Sequence, residues 1–234
     1  MSISYEAPLQ AGIAEIVCDF FSKHDGTEPI GTLLNAIRSF VDQLSEDIMA
    51  QQPPPQALAC SAGCGYCCRG YEVHVSPLEA LAIAEHLAQT LSSEALVRLV
   101  ERLLETQEAK EHHFPDDRPR VNFTCPLLDA EICQIYAVRP FTCQAFNAYD
   151  AKACEQRKLH GDETAVIYGY AHPRHISDRV HLGFQQGLRD IKLEAHPLDL
   201  PPALLIVLTQ PDARDRWLAG EAVFTLAHAR LLEA

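Results

Sequence analysis

Nine consecutive residues, Cys60-Ser61-Ala62-Gly63-Cys64-Gly65-Tyr66-Cys67-Cys68, hold four thiols. A thiolate is a soft ligand, the kind selected by zinc and by iron–sulfur clusters. Cys64-x-x-Cys67 has the spacing of a metal knuckle, in which a tight turn carries the second side chain back toward the first. Gly63 and Gly65 supply the backbone freedom that such a turn uses. One knuckle leaves a tetrahedral site half built, because four ligands are needed and they commonly arrive as two groups. Cys125, Cys133 and Cys143 can supply the second group. The expected metal ligands are therefore Cys60, Cys64, Cys67, Cys68, Cys125, Cys133 and Cys143, brought to one centre.

Three other uses of cysteine compete with this one. Disulfides fit poorly, because the chain has nine cysteines, an odd number. Its first residues, Met1-Ser2-Ile3-Ser4-Tyr5-Glu6, show neither a basic stretch nor a long apolar run, so no secretory signal is expected. A cytoplasmic location is the resulting expectation, and there clustered thiols stay reduced and serve metal or redox chemistry. Cysteine as a small buried hydrophobe suits Cys18, on a helical segment, and extends to Cys154. It suits the glycine-rich knuckle badly. A redox dithiol at Cys64-Gly65-Tyr66-Cys67 would need an apolar strand before it and a helix after it. The preceding Gln51–Ala59, with Pro53-Pro54-Pro55 inside it, is no strand.

Taken in order, these motifs resemble the YkgJ-type cysteine-cluster family, described as a zinc- or iron-chelating domain. The family pattern is Cys-x-x-Cys-x-x-Cys-Cys, then Cys-Pro-x-Leu, then Cys-x-Ile-Tyr-x-x-Arg-Pro-x-x-Cys-Arg. Here the parts are Cys60, Cys64, Cys67 and Cys68, then Cys125-Pro126-Leu127-Leu128, then Cys133-Gln134-Ile135-Tyr136 continuing through Arg139-Pro140 to Cys143. The chain departs twice. Three residues, not two, separate Cys60 from Cys64, and Gln144 stands where the family has Arg. The resemblance covers about residues 58–146. It implies metal chelation and little about biological role. Flagellin lysine methylases resemble this cysteine pattern too, which implies a cluster-bearing enzyme as one alternative, although no S-adenosylmethionine loop is recognisable.

The elements that must position the cysteines read as mainly α: a helical domain with a small cysteine-rich knuckle and a short β-hairpin. A single domain over 1–234 is expected, with a helical hairpin at 1–55, the cysteine-cluster core at 56–146 and a helical part at 147–234. Apolar residues at helical spacing predict helices over 9–22 and 29–50, the second stopped by Pro53-Pro54-Pro55. An extended piece precedes Ser76-Pro77-Leu78-Glu79, a capping box with Pro at the first helical position. The helix it opens, to about 91, is apolar on most sides and should be buried. Another helix is expected over 94–111. His112 and His113 sit at its end in a polar loop, where they read as solvated and dipole-compensating rather than as ligands. Cys125 to Cys133 reads as a hairpin turning at Asp129-Ala130-Glu131. Arg139 is the candidate cofactor-binding residue, a cation that could neutralise thiolates or hydrogen-bond their sulfurs, with a surface salt bridge as the alternative. Beyond it, 144–172 shows no clear period. Ser177 reads as the cap of a helix to about 193, 203–208 as an apolar segment, and 212–232 as a last helix. His172, His175 and His181 match no ligand pattern and read as structural.

Composition narrows the function. Lys and Arg number 19 against 32 Asp and Glu, a net charge of −13, which disfavours nucleic acid and anionic membrane surfaces. No apolar run approaches the roughly 20 residues of a membrane span. Dinucleotide, phosphate-loop, serine-elbow and His-Glu-x-x-His motifs are absent, and no catalytic residue is assigned. Any chemistry would fall to the metal. Seven thiols exceed the four that one zinc needs, and the adjacent Cys67 and Cys68 diverge, which leans toward an iron–sulfur cluster or a polynuclear site. Three readings result: a cytoplasmic protein binding zinc or iron, a structural-zinc adaptor with a protein partner, and a metal-dependent enzyme that modifies another protein. The third predicts a deep pocket beside the cysteines, formed partly by residues 144–234.

Overall fold

The computed structural model describes residues 5–24, 26, 28–61, 63–70, 72–112 and 123–229, and of residues 111 and 112 the backbone alone. His113 lies outside the described residues, as does the side chain of His112. Among the described residues the fold is mainly α, with two small antiparallel ribbons. Helices α1 (Glu6–Lys23) and α2 (Ile30–Gln51) come first. Strand β1 (His74–Val75) leads into α3 (Pro77–Thr90) and α4 (Ser93–His112). Strands β2 (Leu128–Asp129) and β3 (Ile132–Cys133) precede α5 (Phe141–Ala145) and α6 (Ala151–Lys158). Then come α7 (His172–Asp190), β4 (Leu198–Asp199), α8 (Leu200–Thr209) and α9 (Ala213–Leu218).

One hydrophobic cluster runs through the molecule from Leu9 to Ala227. Its largest helix contact is α1 against α7. Leu9, Ile13, Val17 and Phe20 are buried on α1, and Ile176, Val180, Phe184 and Leu188 on α7. Steps of three and four residues put each set on one helix face. The two backbones approach closely where α7 has no side chain. A Cβ on Gly183 would stand 2.6 Å from the Cβ of Ile13, and one on Gly187 2.8 Å from the Ala14 carbonyl oxygen. Helix α3 is buried along most of its length, as its apolar sequence predicts, and it packs with α2 and α8.

The ribbons close loops rather than build layers. Strand β1 pairs with β4, with His74 opposite Asp199 and Val75 opposite Leu198. In the expected hairpin, Leu128 faces Cys133 and Asp129 faces Ile132. Ala130 and Glu131 between them have φ of 45° and 65°. Two left-handed residues make the tight hairpin turn whose twist matches its strands. Among the described residues, no helix is long and apolar enough to cross a membrane.

Three expectations need correction. Helix α7 begins at His172, with Pro173 in its first turn, so Ser177 lies inside the helix and buried rather than at its cap. The last helix is short, because Glu194 holds the chain beyond it. The Glu194 carboxylate accepts the Phe224 N–H at 2.9 Å and meets His228 Nε2 at 2.8 Å, and its carbonyl accepts the Trp217 indole N–H at 3.3 Å. Residues 219–224 therefore run without helix and end in a 3-10 turn at Thr225–Ala227. Helix α6 lies in the stretch that showed no period, because Cys154 is its one buried residue.

The α1–α7 contact gives a test whose sign is decisive. Ala in place of Gly inside a helix gains roughly 1 kcal/mol of intrinsic propensity. Overpacking a core costs about 1–3 kcal/mol. Contacts of 2.6 Å and 2.8 Å with Cβ and backbone atoms of α1 let the second effect win. Gly183→Ala should lower stability by about 1–2 kcal/mol in a urea titration, against the propensity trend.

Candidate metal centre

The knuckle is a turn followed by a single 3-10 turn, Tyr66–Cys68. Gly65 takes φ of 57°, the left-handed conformation that the sequence pattern requires there. The Cys64 N–H donates to the Ser61 carbonyl at 3.2 Å and the Cys68 N–H to the Gly65 carbonyl at 3.1 Å. The second cysteine set is tied directly to the first. The Cys125 N–H donates to the Cys68 carbonyl at 2.7 Å, the Gly70 N–H donates to the Phe123 carbonyl at 2.8 Å, and Arg69 bridges Thr124. Arg69 also ion-pairs with Glu131 in the hairpin turn. On the other side, the Ala59 N–H donates to the Ala148 carbonyl at 2.8 Å, and α6 packs on the 3-10 turn.

Charged side chains from the helices fix the remaining pieces. Arg102 on α4 donates to the Pro126 carbonyl at 3.0 Å and to Gln134 Oε1 at 2.7 Å, which holds the hairpin. Arg38 on α2 donates to the carbonyls of Val138 and Arg139 at 3.2 and 3.4 Å. Gln144, which replaces the family's arginine, donates to the Arg139 carbonyl at 2.6 Å. Helix α5, which carries Cys143, starts on a fully buried carboxylate: the Phe141 N–H donates to Glu79 Oε1 at 2.9 Å.

The same Glu79 closes the predicted capping box. It accepts the Ser76 N–H at 2.7 Å, while its own N–H donates to Ser76 Oγ at 3.2 Å. It also meets His181 of α7 at 3.0 Å. Burial alone would raise the Glu79 pKa. The His181 charge and the hydrogen bonds from His181, Ser76 and Phe141 outweigh it and hold the carboxyl below its ordinary 4.5. Burial alone would lower His181, and Glu79 outweighs that and holds the imidazole above its ordinary 6.5.

Six of the seven predicted ligands, Cys60, Cys67, Cys68, Cys125, Cys133 and Cys143, lie in one electrostatic neighbourhood that has Cys67 in common. Cys68 donates a hydrogen bond to Cys67, and this contact, with Arg139 and Lys158 adding to it against the effect of burial, lowers Cys67 to about 6. Of the two adjacent thiols, Cys67 is the one whose surroundings favour the thiolate. Cys68 is raised, first by the same hydrogen bond and then by burial, and it feels Cys125 and Cys133. Burial pushes Cys125 up to about 11 and raises Cys133, and each feels the charge of Cys67. Burial holds Cys143 well above 9, and Cys125, Cys67 and Cys133 add to that. Burial also raises Cys60, which feels Cys64 and Cys67 as neighbours and Arg139 as a compensating cation.

Cys18 stands apart, on the α1–α7 contact, with its thiol toward the Gly187 carbonyl at 3.6 Å. Cys154 does not. It is 5% exposed, as a structural cysteine would be, but it lies beside the knuckle. Burial first, with Cys60, Cys64 and Cys67 adding to it, raises it to about 11. The signal that could have found it is Asp150, which caps α6 by accepting the Lys152 N–H at 2.8 Å. A short capped helix there carries Cys154 back to the knuckle. Among the described residues, no three Cys, His, Asp or Glu side chains stand in a geometry that would hold one ion. The donor chemistry nonetheless suits a thiophilic metal: several thiols and the Arg139 cation lie within electrostatic reach of one another. Arg139 stacks on the Tyr136 ring at 4.0 Å, and its Nε is buried without a hydrogen-bond partner. An orphaned buried donor within electrostatic reach of Cys60, Cys67 and Cys133 fits a site that leaves room for a further acceptor.

Residues 59–162 match the model of the CxxCxxCC family, described as a "putative zinc- or iron-chelating domain". The matched span starts just before Cys60 and runs past Cys143 to include Cys154. No curated protein and no solved structure matches the chain.

The Glu79–His181 pair carries a pH signature. A lowered carboxyl contributes stability that is present above its unfolded pKa and lost as pH falls through the folded value. A raised imidazole contributes stability that is present below its unfolded pKa and lost as pH rises through the folded value. The pair therefore contributes fully between pH 4.5 and 6.5. His181→Asn should cost about 3 kcal/mol there, the scale of a buried pair broken on one side. The Tm difference from the parent protein should be largest between pH 4.5 and 6.5, and narrow as pH falls through the lowered folded value of Glu79 or rises through the raised folded value of His181.

Proposed function

We propose that the cysteines of residues 59–162 hold one thiolate-ligated metal centre. Its candidate ligands are Cys60, Cys64, Cys67, Cys68, Cys125, Cys133, Cys143 and Cys154, and Arg139 is the cation that hydrogen-bonds the sulfurs. The observation that supports this reading is the backbone tie between the two cysteine sets, the Cys125 N–H donating to the Cys68 carbonyl at 2.7 Å, with Cys60, Cys68, Cys125, Cys133, Cys143 and Cys154 within electrostatic reach of Cys67. Eight thiols exceed the four of a single zinc, and the adjacent pair Cys67-Cys68 suits a cluster better than one ion. An iron–sulfur or polynuclear centre is therefore favoured over a lone zinc, with electron transfer or metal handling in the cytoplasm as the role. Residues 1–55 and 147–234 serve as the scaffold of the same domain.

A second reading, a metal-dependent enzyme that modifies another protein, is favoured by one observation. A cavity of about 580 Å³ opens beside the cysteine segments, lined by residues from Thr142 to Asp178. The enzyme reading asks for a pocket formed partly by residues 144–234, and most of this cleft's lining comes from that range.

Anaerobic purification followed by metal analysis and a visible spectrum tests the centre. Coloured protein with iron and sulfide supports the cluster. Colourless protein with one zinc per chain supports the adaptor reading, and metal-free protein overturns both. Cys67→Ser and Cys125→Ser should each lose the metal, Cys154→Ser should lower its occupancy, and Cys18→Ser should leave it unchanged. Arg139→Ala should weaken metal affinity by roughly tenfold or more, the effect of losing a group that supports the ligands.

A further inference from the structure

The cavity beside the cysteines has a charge opposite to that of the molecule. Its charged lining residues are Arg157 and Lys158 from α6, Arg174 from the first half of α7, and Asp178. Three cations to one carboxylate is a reversal in a chain with 19 basic and 32 acidic residues. The remaining lining is largely apolar, with Ala145, Phe146, Val166 and Ile167. One wall is held rigidly. The Tyr170 N–H donates to Asn147 Oδ1 at 2.7 Å, Asn147 Nδ2 donates to the carbonyls of Ala145 and Tyr170 at 3.0 Å each, and the Tyr149 N–H donates to the Tyr168 carbonyl at 2.9 Å. A second cavity of about 350 Å³ shares Thr142, Arg174 and Asp178 with the first and extends it toward His74 and His196.

We propose that this cleft is an anion-binding site beside the cysteine centre, taking a small molecule with a phosphate or carboxylate head and an apolar body. Guanidinium and ammonium groups bind such heads through charge-assisted hydrogen bonds, and here two exposed arginines flank the half-buried Lys158. A cavity of this size with few convergent polar groups has the usual character of a small-molecule site. The head sits at the three cations and the body runs over the apolar wall. Lys158 joins the two sites. Its Nζ donates to the Gly70 carbonyl at 2.9 Å, next to the knuckle, and it lies within electrostatic reach of Cys67 and Cys154. The proposal names the ligand class of the pocket that the enzyme reading needs, but it stands on the cavity's own side chains.

The test is isothermal titration calorimetry of the full-length, metal-loaded protein with inorganic phosphate and, separately, acetate. Saturable binding of at least one of them is expected, and the pattern identifies the head: phosphate alone, or carboxylate as well. Arg174→Glu should weaken that binding by about tenfold or more, the scale of one charge-assisted contact. It should leave metal content and helical circular dichroism unchanged. Arg98→Glu, on the exposed face of α4 outside the cavity, should leave binding unchanged. Absence of saturable binding, or equal weakening by both substitutions, overturns the proposal. If anaerobically purified protein holds no metal yet binds the anion saturably and with the same Arg174 dependence, the metal centre fails and the anion site stands, so the two readings fail separately.

Discussion

A single buried carboxylate, that of Glu79, joins three helices at the cysteine centre. It caps the start of α3 through Ser76, receives the first N–H of the helix that carries Cys143, and meets His181 on α7. A fully buried carboxylate is tolerated only when hydrogen bonds and a counter-charge offset its desolvation, and here both are present. The position of Cys143 thus depends on a helix N-terminus anchored on a residue 62 positions earlier in the chain. Helix α7 in turn is pressed against α1 where Gly183 and Gly187 admit its backbone. The remote helices therefore reach the cysteine segment through a chain of packed and hydrogen-bonded groups. Loosening any one of these contacts loosens the next.

The second constraint is the cost of collecting thiols. Each thiolate added beside another raises its neighbours, and burial raises them again, as Cys125, Cys133, Cys143 and Cys154 show. Arg139 and Lys158 oppose this at Cys67, in a molecule whose net charge is otherwise strongly negative. A bound metal cation would remove the same repulsion for all of them at once, because coordination deprotonates the thiols and shares their charge. The electrostatic frustration of the cluster and its fitness for metal are two sides of one arrangement.

Much of this was legible from residue spacing. The capping box at Ser76, the hairpin between Cys125 and Cys133, and the helices over 6–23, 30–51, 77–90 and 93–112 all have local chemistry that dictates them. The features that were not legible depend on distant partners. Glu194 holds Phe224 and His228, and so cuts short a helix that the apolar pattern alone extends to residue 232. Helix α6 has one buried residue, so no hydrophobic period announces it, and Cys154 was hidden with it. The pairing of β1 with β4 joins His74 to Asp199, a separation that no short window spans. Arg139 illustrates an intermediate case. Its place in the motif suggested a role near sulfur, but the stacking on Tyr136 and the orphaned Nε needed coordinates.

Cleft and cluster are built from the same short run of chain. Residues 141–145 present Cys143 to the thiols and Thr142 and Ala145 to the cavity, and α6 presents Cys154 to one and Arg157 to the other. Lys158 belongs to both. A negative head bound in the cleft would draw on the positive potential that helps hold Cys67 as thiolate. Coupling between two sites is reciprocal, so the charge state of the cysteines would equally tune the affinity of the cleft. Neither α5 nor α6 is long enough to be a stable helix alone. Each is held by a few named contacts, Glu79 to Phe141 for α5 and packing on the 3-10 turn at Tyr66–Cys68 for α6, and those contacts set where Cys143 and Cys154 stand relative to the cleft.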